Sequence, residues 1–235
     1  MLFYYIRHGD PIYDPDSLTS LGERQAEAIA KRIAIYGLDR IYASSSNRAI
    51  LTAKPTCELL KKDMEILDFA NEMHAWHDFS IVKNDKRIWF FDDKEYKNLF
   101  CDESVLSLGN KWYQHEKMTD FKKGIDRVSD EADNFFKSLG YEHIKGTGKY
   151  KVIQPNNERV ALFAHQGFGL TFLSQILDIP FPMFANHFNI CHTGMTVINF
   201  NEKDGYAIPR VLTLSSDSHI YHEGLPTKYN NSLYF

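Results

Sequence analysis

Cysteine is scarce in this 235-residue chain: Cys57, Cys101 and Cys191 are odd in number, far apart and form no Cys-x-x-Cys pair. That excludes a disulfide framework and a cysteine-built zinc site, and it fits buried thiols in a reducing cytosol. Long apolar runs are also missing. The first, Leu2–Ile6, is broken at once by Arg7, too early for a signal h-region or a membrane span. A large excess of one charge is absent as well. The 27 Lys and Arg against 31 Asp and Glu leave a net charge of −4, which argues against nucleic acid as a partner. No internal repeat or low-complexity tract is present. What the chain does have is aromatic residues, 17 Phe and 13 Tyr among them, and enough length to bury a full core without staples.

Leu2–Ile6 reads as a buried strand, followed by a polar loop over residues 10–18. Ser20 and Glu23 have capping-box spacing, and Ala26, Ile29, Ala30, Ile33 and Ala34 recur at helical period up to Gly37, a C′ residue. Arg40–Ala43 is a second strand. Ser44-Ser45-Ser46 is a turn and cap before a helix over residues 47–62, with a kink or break expected near residues 52–54 because of Pro55. Glu65–Phe69 reads as an edge strand. Residues 74–157 read as an inserted helical and aromatic region, with one long helix around residues 125–139 and a loop over 145–157. Regular order returns with the strand Arg159–Ala164, a helix over residues 168–177, and strands over 194–200 and 210–214. This alternation predicts a single α/β domain over residues 1–235. Its architecture is three-layer α/β/α around a mostly parallel central sheet.

In such a sheet, ligands bind at the carboxyl ends of the strands. Arg7 and His8 follow the first strand, Arg48 opens the helix after the second, and His165 follows the strand at 159–164. Two arginine forks match phosphate oxygens and stay charged at neutral pH. A neutral imidazole can attack phosphorus and hold it covalently. Gly9 lets the backbone approach closely beside His8, the better nucleophile. His165 is then the second imidazole, donating to a phosphoryl oxygen. Gln166 joins the phosphate-binding set. Glu72 has apolar neighbours that would raise its pKa and keep its acid form available for the leaving oxygen; Asp10 and Asp14 are rivals for that role.

Arg7-His8-Gly9, Leu18-Thr19-Ser20-Leu21-Gly22 with Gln25-Ala26, Ser44-Ser45-Ser46-Asn47-Arg48-Ala49 with Thr52-Ala53, and the later strand ending in His165 resemble the histidine phosphatase (phosphoglycerate mutase-like) superfamily. The resemblance is dense over residues 3–60 and returns at 160–170. It implies His8 as the phosphorylated nucleophile, Arg7, Arg48 and His165 as the phosphate pocket, and Glu72 as the proton donor. It implies neither metal nor cofactor. The chain departs from the family pattern at Asp10, Asp14 and Gln166. Extra carboxylates at the site mouth would repel a multiply anionic substrate, which favours a phosphatase over a mutase.

The expected function is therefore a cytoplasmic phosphomonoesterase acting on a small phosphorylated metabolite through phospho-His8. The alternatives are a mutase-like phosphotransferase and a non-catalytic phosphate-binding module. A homo-oligomer is left open as a partner. The spacing of His74, His77 and Asp78 suggests metal ligands, but no further cluster accompanies them. The aromatic residues Trp76, Phe79, Trp89, Phe90, Phe91, Tyr96 and Phe100 read first as a small core under the insertion, with a wall for an apolar substrate moiety or a subunit interface as alternatives. His219 is expected near the pocket rim.

Overall fold

Side-chain alternation along the first strand decides the layering. Phe3 and Tyr5 point to one side of the sheet and Leu2, Tyr4 and Ile6 to the other, and both sets are covered. The structure is a computed structural model and describes residues 1–229. Its strands are β1 (Leu2–Arg7), β2 (Pro11–Tyr13), β3 (Asp16–Leu18), β4 (Arg40–Ser44), β5 (Glu65–Leu67), β6 (Ser80–Lys83), β7 (Lys86–Trp89), β8 (Tyr141–Ile144), β9 (Lys149–Val152), β10 (Arg159–Ala164), β11 (Met195–Lys203) and β12 (Tyr206–Ser216). Its α-helices are α1 (Ser20–Ala34), α2 (Asn47–Leu60), α3 (Glu72–Phe79), α4 (Lys94–Leu99), α5 (Glu103–Leu106), α6 (Lys122–Ser138), α7 (Gln166–Ile176), α8 (Phe181–His187) and α9 (Ser218–His222), joined by short 3-10 turns.

The central sheet runs β5-β4-β10-β1-β11-β12-β9-β8. β5, β4, β10 and β1 are mutually parallel, and this half carries the strand ends that matter. β11, β12, β9 and β8 extend it antiparallel. The antiparallel half follows from tight connections: Asp204 and Gly205, both at positive φ, turn β11 directly into β12. α1 and α2 cover one face through Ile29, Ile33, Ala53 and Cys57, packed on Ile6, Ile41, Ala43 and Phe163. α6 and α7 cover the other through Phe135, Phe136, Phe168 and Phe172 against Phe3, Tyr5 and Leu162. Each fully buried aromatic contributes on the order of 1.5–3 kcal/mol. Phe136 is a hub, within ring-contact distance of Phe3, Phe172 and Phe200.

Three local expectations change. The N-cap of α1 is Thr19, whose hydroxyl accepts from the Gly22 N–H at 3.1 Å; Ser20 is the first helical residue. α2 continues through Pro55 instead of breaking before it. Packing against α1 and β4 holds the helix although the Pro55 nitrogen has no proton to give. Residues 145–157 are not one loop. Lys149–Val152 forms β9, paired to both β8 and β12, and its strand signal is masked because Lys149 and Lys151 face solvent while Tyr150 is buried.

The outer end of the sheet is fastened by a buried imidazole. His143 of β8 hydrogen-bonds through Nδ1 to Asp133 of α6 at 2.8 Å and through Nε2 to Asp178 after α7 at 3.0 Å, and it stacks on Tyr150 at 4.4 Å. Asp178 also accepts from the Gly148 N–H in the β8–β9 turn. Burial by itself depresses the imidazole pKa, but the bonds and charges of Asp133 and Asp178 outweigh it and raise the pKa to about 9. A raised folded-state pKa stabilises the fold fully below the unfolded value of about 6.5, and the contribution is lost as pH rises through about 9. Thermal denaturation of wild type and His143→Gln from pH 6 to 10 should therefore converge. The variant should be less stable by about 1–3 kcal/mol at pH 6.5, and the gap should shrink above pH 9.

Candidate active site

The site is built around a contact between two glycines. The chain turns at Gly9 after β1, directly over the first turn of α1. A Cβ on Gly9 would lie 2.6 Å from the Gly22 carbonyl oxygen, and one on Gly22 would lie 2.3 Å from that of Asp10. Only glycine at both positions permits this approach. The Gly9 N–H donates to Thr52 Oγ1, which itself donates to the Arg48 carbonyl, so the turn is tied to α2 as well. On its other side the turn is held by β10 and the segment before β11, through His8 N–H to the Ala164 carbonyl and Thr193 N–H to the His8 carbonyl.

Arg7 is fully buried. Its Nη1 donates to the Ile190 carbonyl at 2.5 Å and its Nη2 to His192 Nε2 at 2.9 Å. Arginine can only donate, so His192 Nε2 accepts and the His192 proton sits on Nδ1, 3.4 Å from Asp10 Oδ1. Asp10, His192 and Arg7 thus form a chain of oriented groups. Burial lowers the Arg7 pKa to about 10, which leaves it charged at neutral pH. Asp10 also accepts from Thr19 Oγ1 at 2.8 Å and faces Lys228 at 3.4 Å.

His8 Nδ1 lies 2.7 Å from the Gly9 carbonyl oxygen. A carbonyl cannot donate, so Nδ1 carries the proton and Nε2 presents its lone pair. Burial, then the neighbouring His165, Arg7 and Arg48, push the His8 pKa well below its ordinary value. His165, 5.1 Å away between ring centres, is depressed in the same way by burial and the two arginines. Its Nε2 bonds Ser44 Oγ at 2.8 Å, while Nδ1 has no hydrogen-bond partner among the described residues. Both imidazoles are neutral at pH 7.

Arg48, at the second position of α2, is held by Asp16 of β3, Nη1 to Oδ1 at 2.7 Å, and its guanidinium lies over the Tyr13 ring at 5.5 Å. Asp16 also accepts from the Asn47 N–H at the start of α2. The three serines before α2 divide the work: Ser44 holds His165, Ser45 bonds Asp68 and Asn71, and Ser46 is the N-cap position. Asn71 in turn caps α3 through the Met73 N–H and so places Glu72 at its first residue. The two Glu72 carboxyl oxygens accept from Gly167 N–H at 2.9 Å and Phe168 N–H at 2.8 Å, at the N-terminus of α7. Burial raises the Glu72 pKa; the two amides, Arg48 and Arg7 oppose that without cancelling it.

These groups open on a cavity of about 550 Å³. Arg7, His8, Arg48, Glu72 and Gln166 line its polar part, and Tyr13, Met73, Trp76, Ile88 and Trp89 its apolar walls. Two exposed charged residues, Arg87 and Asp92, complete the lining. His165 is fully buried and does not line the cavity, its ring centre 5.1 Å from that of His8. Gln166 Nε2 donates to Asn189 Oδ1 at 2.6 Å. The structure thus brings Arg7, His8, Arg48, Glu72, His165 and Gln166 together.

Other expectations separate. Asp10 and Asp14 do not line the cavity: Asp10 turns back onto Thr19, His192 and Lys228, and Asp14 is exposed in the β2–β3 turn. The expected repulsion at the mouth therefore has no source in these two residues. His219 is not at the rim; it is buried on α9 and bonds Thr193 Oγ1 at 2.9 Å, its pKa lowered by burial to about 4. His74 bonds Asp68, and Asp78 takes Arg127 and His77. Among the described residues no group of three His, Cys, Asp or Glu side chains could hold a metal ion. The aromatic stretch divides. Phe79, Phe90 and Phe100 form a core with Trp112, Phe121 and Phe181, whereas Trp76 and Trp89, T-shaped at 4.8 Å, face the cavity. Sequence reasoning missed Asp16, Arg87 and His192. A partner for an arginine carries no signal at a distance of 32 or 185 residues; only an unexplained buried histidine before β11 could have prompted the last.

Residues 3–97 match the family described as histidine phosphatase superfamily (branch 1). The fold is similar to phosphoserine phosphatase from Entamoeba histolytica in complex with phosphoserine (TM-score 0.62, 18% identity, covering 93% of this chain and 98% of that one). It is also similar to mycobacterial glucosyl-3-phosphoglycerate phosphatase (TM-score 0.59, 14% identity, 92% and 99%). A third similar structure is α-ribazole phosphatase from Shigella flexneri (TM-score 0.57, 18% identity, 92% and 96%). Comparison with curated proteins returns no match. Among the described residues no helix is long and apolar enough to cross a membrane.

The glycine contact carries a direct prediction. Gly9→Ala forces backbone against backbone, which a side-chain rotation cannot relieve. Urea denaturation should show a loss of about 1–3 kcal/mol. Unchanged stability would mean that the turn does not sit against α1.

Proposed function

We propose that this chain, whose residues 3–97 match the histidine phosphatase superfamily, hydrolyses phosphate monoesters through a phosphohistidine on His8. The observation that carries the reading is the fixed tautomer of a neutral His8: the Gly9 carbonyl takes the Nδ1 proton and leaves Nε2 as a nucleophile beside Arg7 and Arg48. In the first step Nε2 attacks phosphorus and an N–P bond forms. The P–O bond to the leaving group breaks, its electron pair going to the leaving oxygen, which takes a proton from Glu72. In the second step water attacks phosphorus, the N–P bond breaks, Glu72 recovers a proton from that water, and inorganic phosphate is released.

Each neighbour has a part in this. Arg7 and Arg48 offset charge on the phosphoryl oxygens, and neutral His165 donates to one of them as charge builds. Burial raises the Glu72 pKa, which favours its acid form, and each carboxyl oxygen has a second lone-pair site for the proton while it accepts from the α7 amides. Hydrolysis is favoured over return of the phosphoryl group to substrate because all three similar structures bear the name of a phosphatase. A small phosphorylated metabolite is the proposed substrate and a cytoplasmic setting the proposed location.

Two measurements test this. Quenching the wild type during turnover of p-nitrophenyl phosphate should trap an acid-labile, base-stable phosphoprotein, and His8→Ala should lose about 10³-fold or more in kcat and trap none. Equal turnover in the two preparations ends the nucleophile assignment. Glu72→Gln separates the acid from the pocket. Its kcat should fall about 10²-fold or more for alkyl phosphates, whose leaving oxygen needs a proton, and far less for p-nitrophenyl phosphate. In the wild type, kcat for alkyl phosphates should decline as pH rises through the raised Glu72 pKa, because the protonated form is the active one.

A further inference from the structure

The cavity is larger and differently furnished than a phosphoryl group requires. Its volume of about 550 Å³ has room for a ligand body of one or two rings. Trp76 and Trp89 face it from α3 and β7, joined on the same wall by Ile88 and Met73. Trp89 is fixed in place. Phe91 stacks on it at 5.1 Å, Trp76 meets it edge-on, and it presses on the backbone at Gly167, where a Cβ would lie 2.6 Å from its ring. A rigid indole beside an acid-bearing site suits a flat leaving group, since aromatic faces stack at little entropic expense.

Charge around the wall is unbalanced. Arg7 and Arg48 serve the phosphoryl end, yet a third arginine, Arg87, lines the same cavity from β7. The Arg87 side chain forms no ion pair and no hydrogen bond among the described residues. The nearby carboxylate of Asp92 pairs with Lys97 at 3.5 Å. Asp10 and Asp14, the acidic residues that distinguish the segment after His8, face elsewhere. The cavity therefore presents a guanidinium fork, beyond the two at the phosphoryl end, that is ion-paired to no carboxylate among the described residues.

We propose that the substrate is an aryl or ring-bearing phosphate monoester carrying a second anionic group, a carboxylate or a second phosphate. Its ring packs on Trp89 and Trp76, and the second anion pairs with Arg87. This rests on the phosphatase reading of the same site and adds the class of leaving group. The chemistry is the hydrolysis described above, with the ring-bearing alcohol or phenol departing from phosphorus and protonated by Glu72.

The test uses three kinds of ligand: phenyl phosphate (ring only), 3-phosphoglycerate (carboxylate only), and 3- or 4-carboxyphenyl phosphate (both). In wild type, kcat/KM for the better carboxyphenyl ester should exceed that for phenyl phosphate by about tenfold, and Arg87→Gln should bring that ratio close to one. In His8→Ala, where turnover is blocked, tryptophan fluorescence should be quenched by the ring-bearing ligands, and their affinities should follow the same order. Equal values for phenyl and carboxyphenyl phosphate in both measurements overturn the proposal, as does a preference that survives Arg87→Gln. Affinity for 3-phosphoglycerate equal to that for the carboxyphenyl ester removes the ring from it. Absence of turnover by wild type together with the expected binding order leaves this proposal supported and ends the hydrolytic reading alone.

Discussion

Arg7 is buried completely and still charged, and the chemistry of its neighbours follows from that. Burial, with the positive fields of Arg7 and Arg48 added to it, drives both His8 and His165 into their neutral forms. A neutral imidazole is the form that can attack or donate without losing a proton first. Burying a guanidinium requires partners for its donors, and the fold gives Nη1 the Ile190 carbonyl and Nη2 the His192 ring. Both partners come from the segment between α8 and β11, which explains why the antiparallel half of the sheet matters to a site at the ends of parallel strands. Asp10, reaching His192 from the turn after His8, closes the arrangement on itself.

The residues that read clearly from sequence are those whose role is set by near neighbours in the chain. Gly9 follows His8 and supplies its carbonyl; Thr19 and Gly22 belong to one helix start; Ser44 to Arg48 is one strand-to-helix turn. Their spacing is local geometry, so a spacing pattern captures them. Asp16 and His192 escape because they act on Arg48 and Arg7 through register across different elements. Asp10 was legible as an oddity but misread, since nothing in its flanking residues shows that it turns inward to a histidine far along the chain. The strand β9 was hidden for a similar reason: two lysines on its exposed face give it the composition of a loop. Pro55 shows the opposite case, a strong local signal for a helix break that packing of α2 against α1 and β4 overrules.

Glu72 shows how the less regular region between α2 and β10 enters the chemistry. It lies at the first residue of α3, yet its carboxyl group is gripped by the N-terminal amides of α7, which begins right after His165. Two free amides at a helix start are suited to an anion, and burial works against one. The acid is poised between these opposing influences. The aromatic residues nearby are divided between two duties: Phe90 and its ring partners hold α3 and the hairpin β6–β7 to the body, while Trp76 and Trp89 are left facing the cavity.

The contact of Trp89 with Gly167 separates the hairpin β6–β7 into two parts with different freedom. At its tip, Asn84 and Asp85 turn in solvent with positive φ and touch nothing catalytic. At its base, the indole shares the backbone of Gly167 with the Glu72 carboxyl, each near the place where a methyl group would go. Residues along the outer strand can therefore be exchanged to suit a different leaving group while the proton donor stays put. A change of size at position 89 or 167 would move wall and acid together. Divergence in ligand preference should accumulate from the tip inward, and stop at that tryptophan.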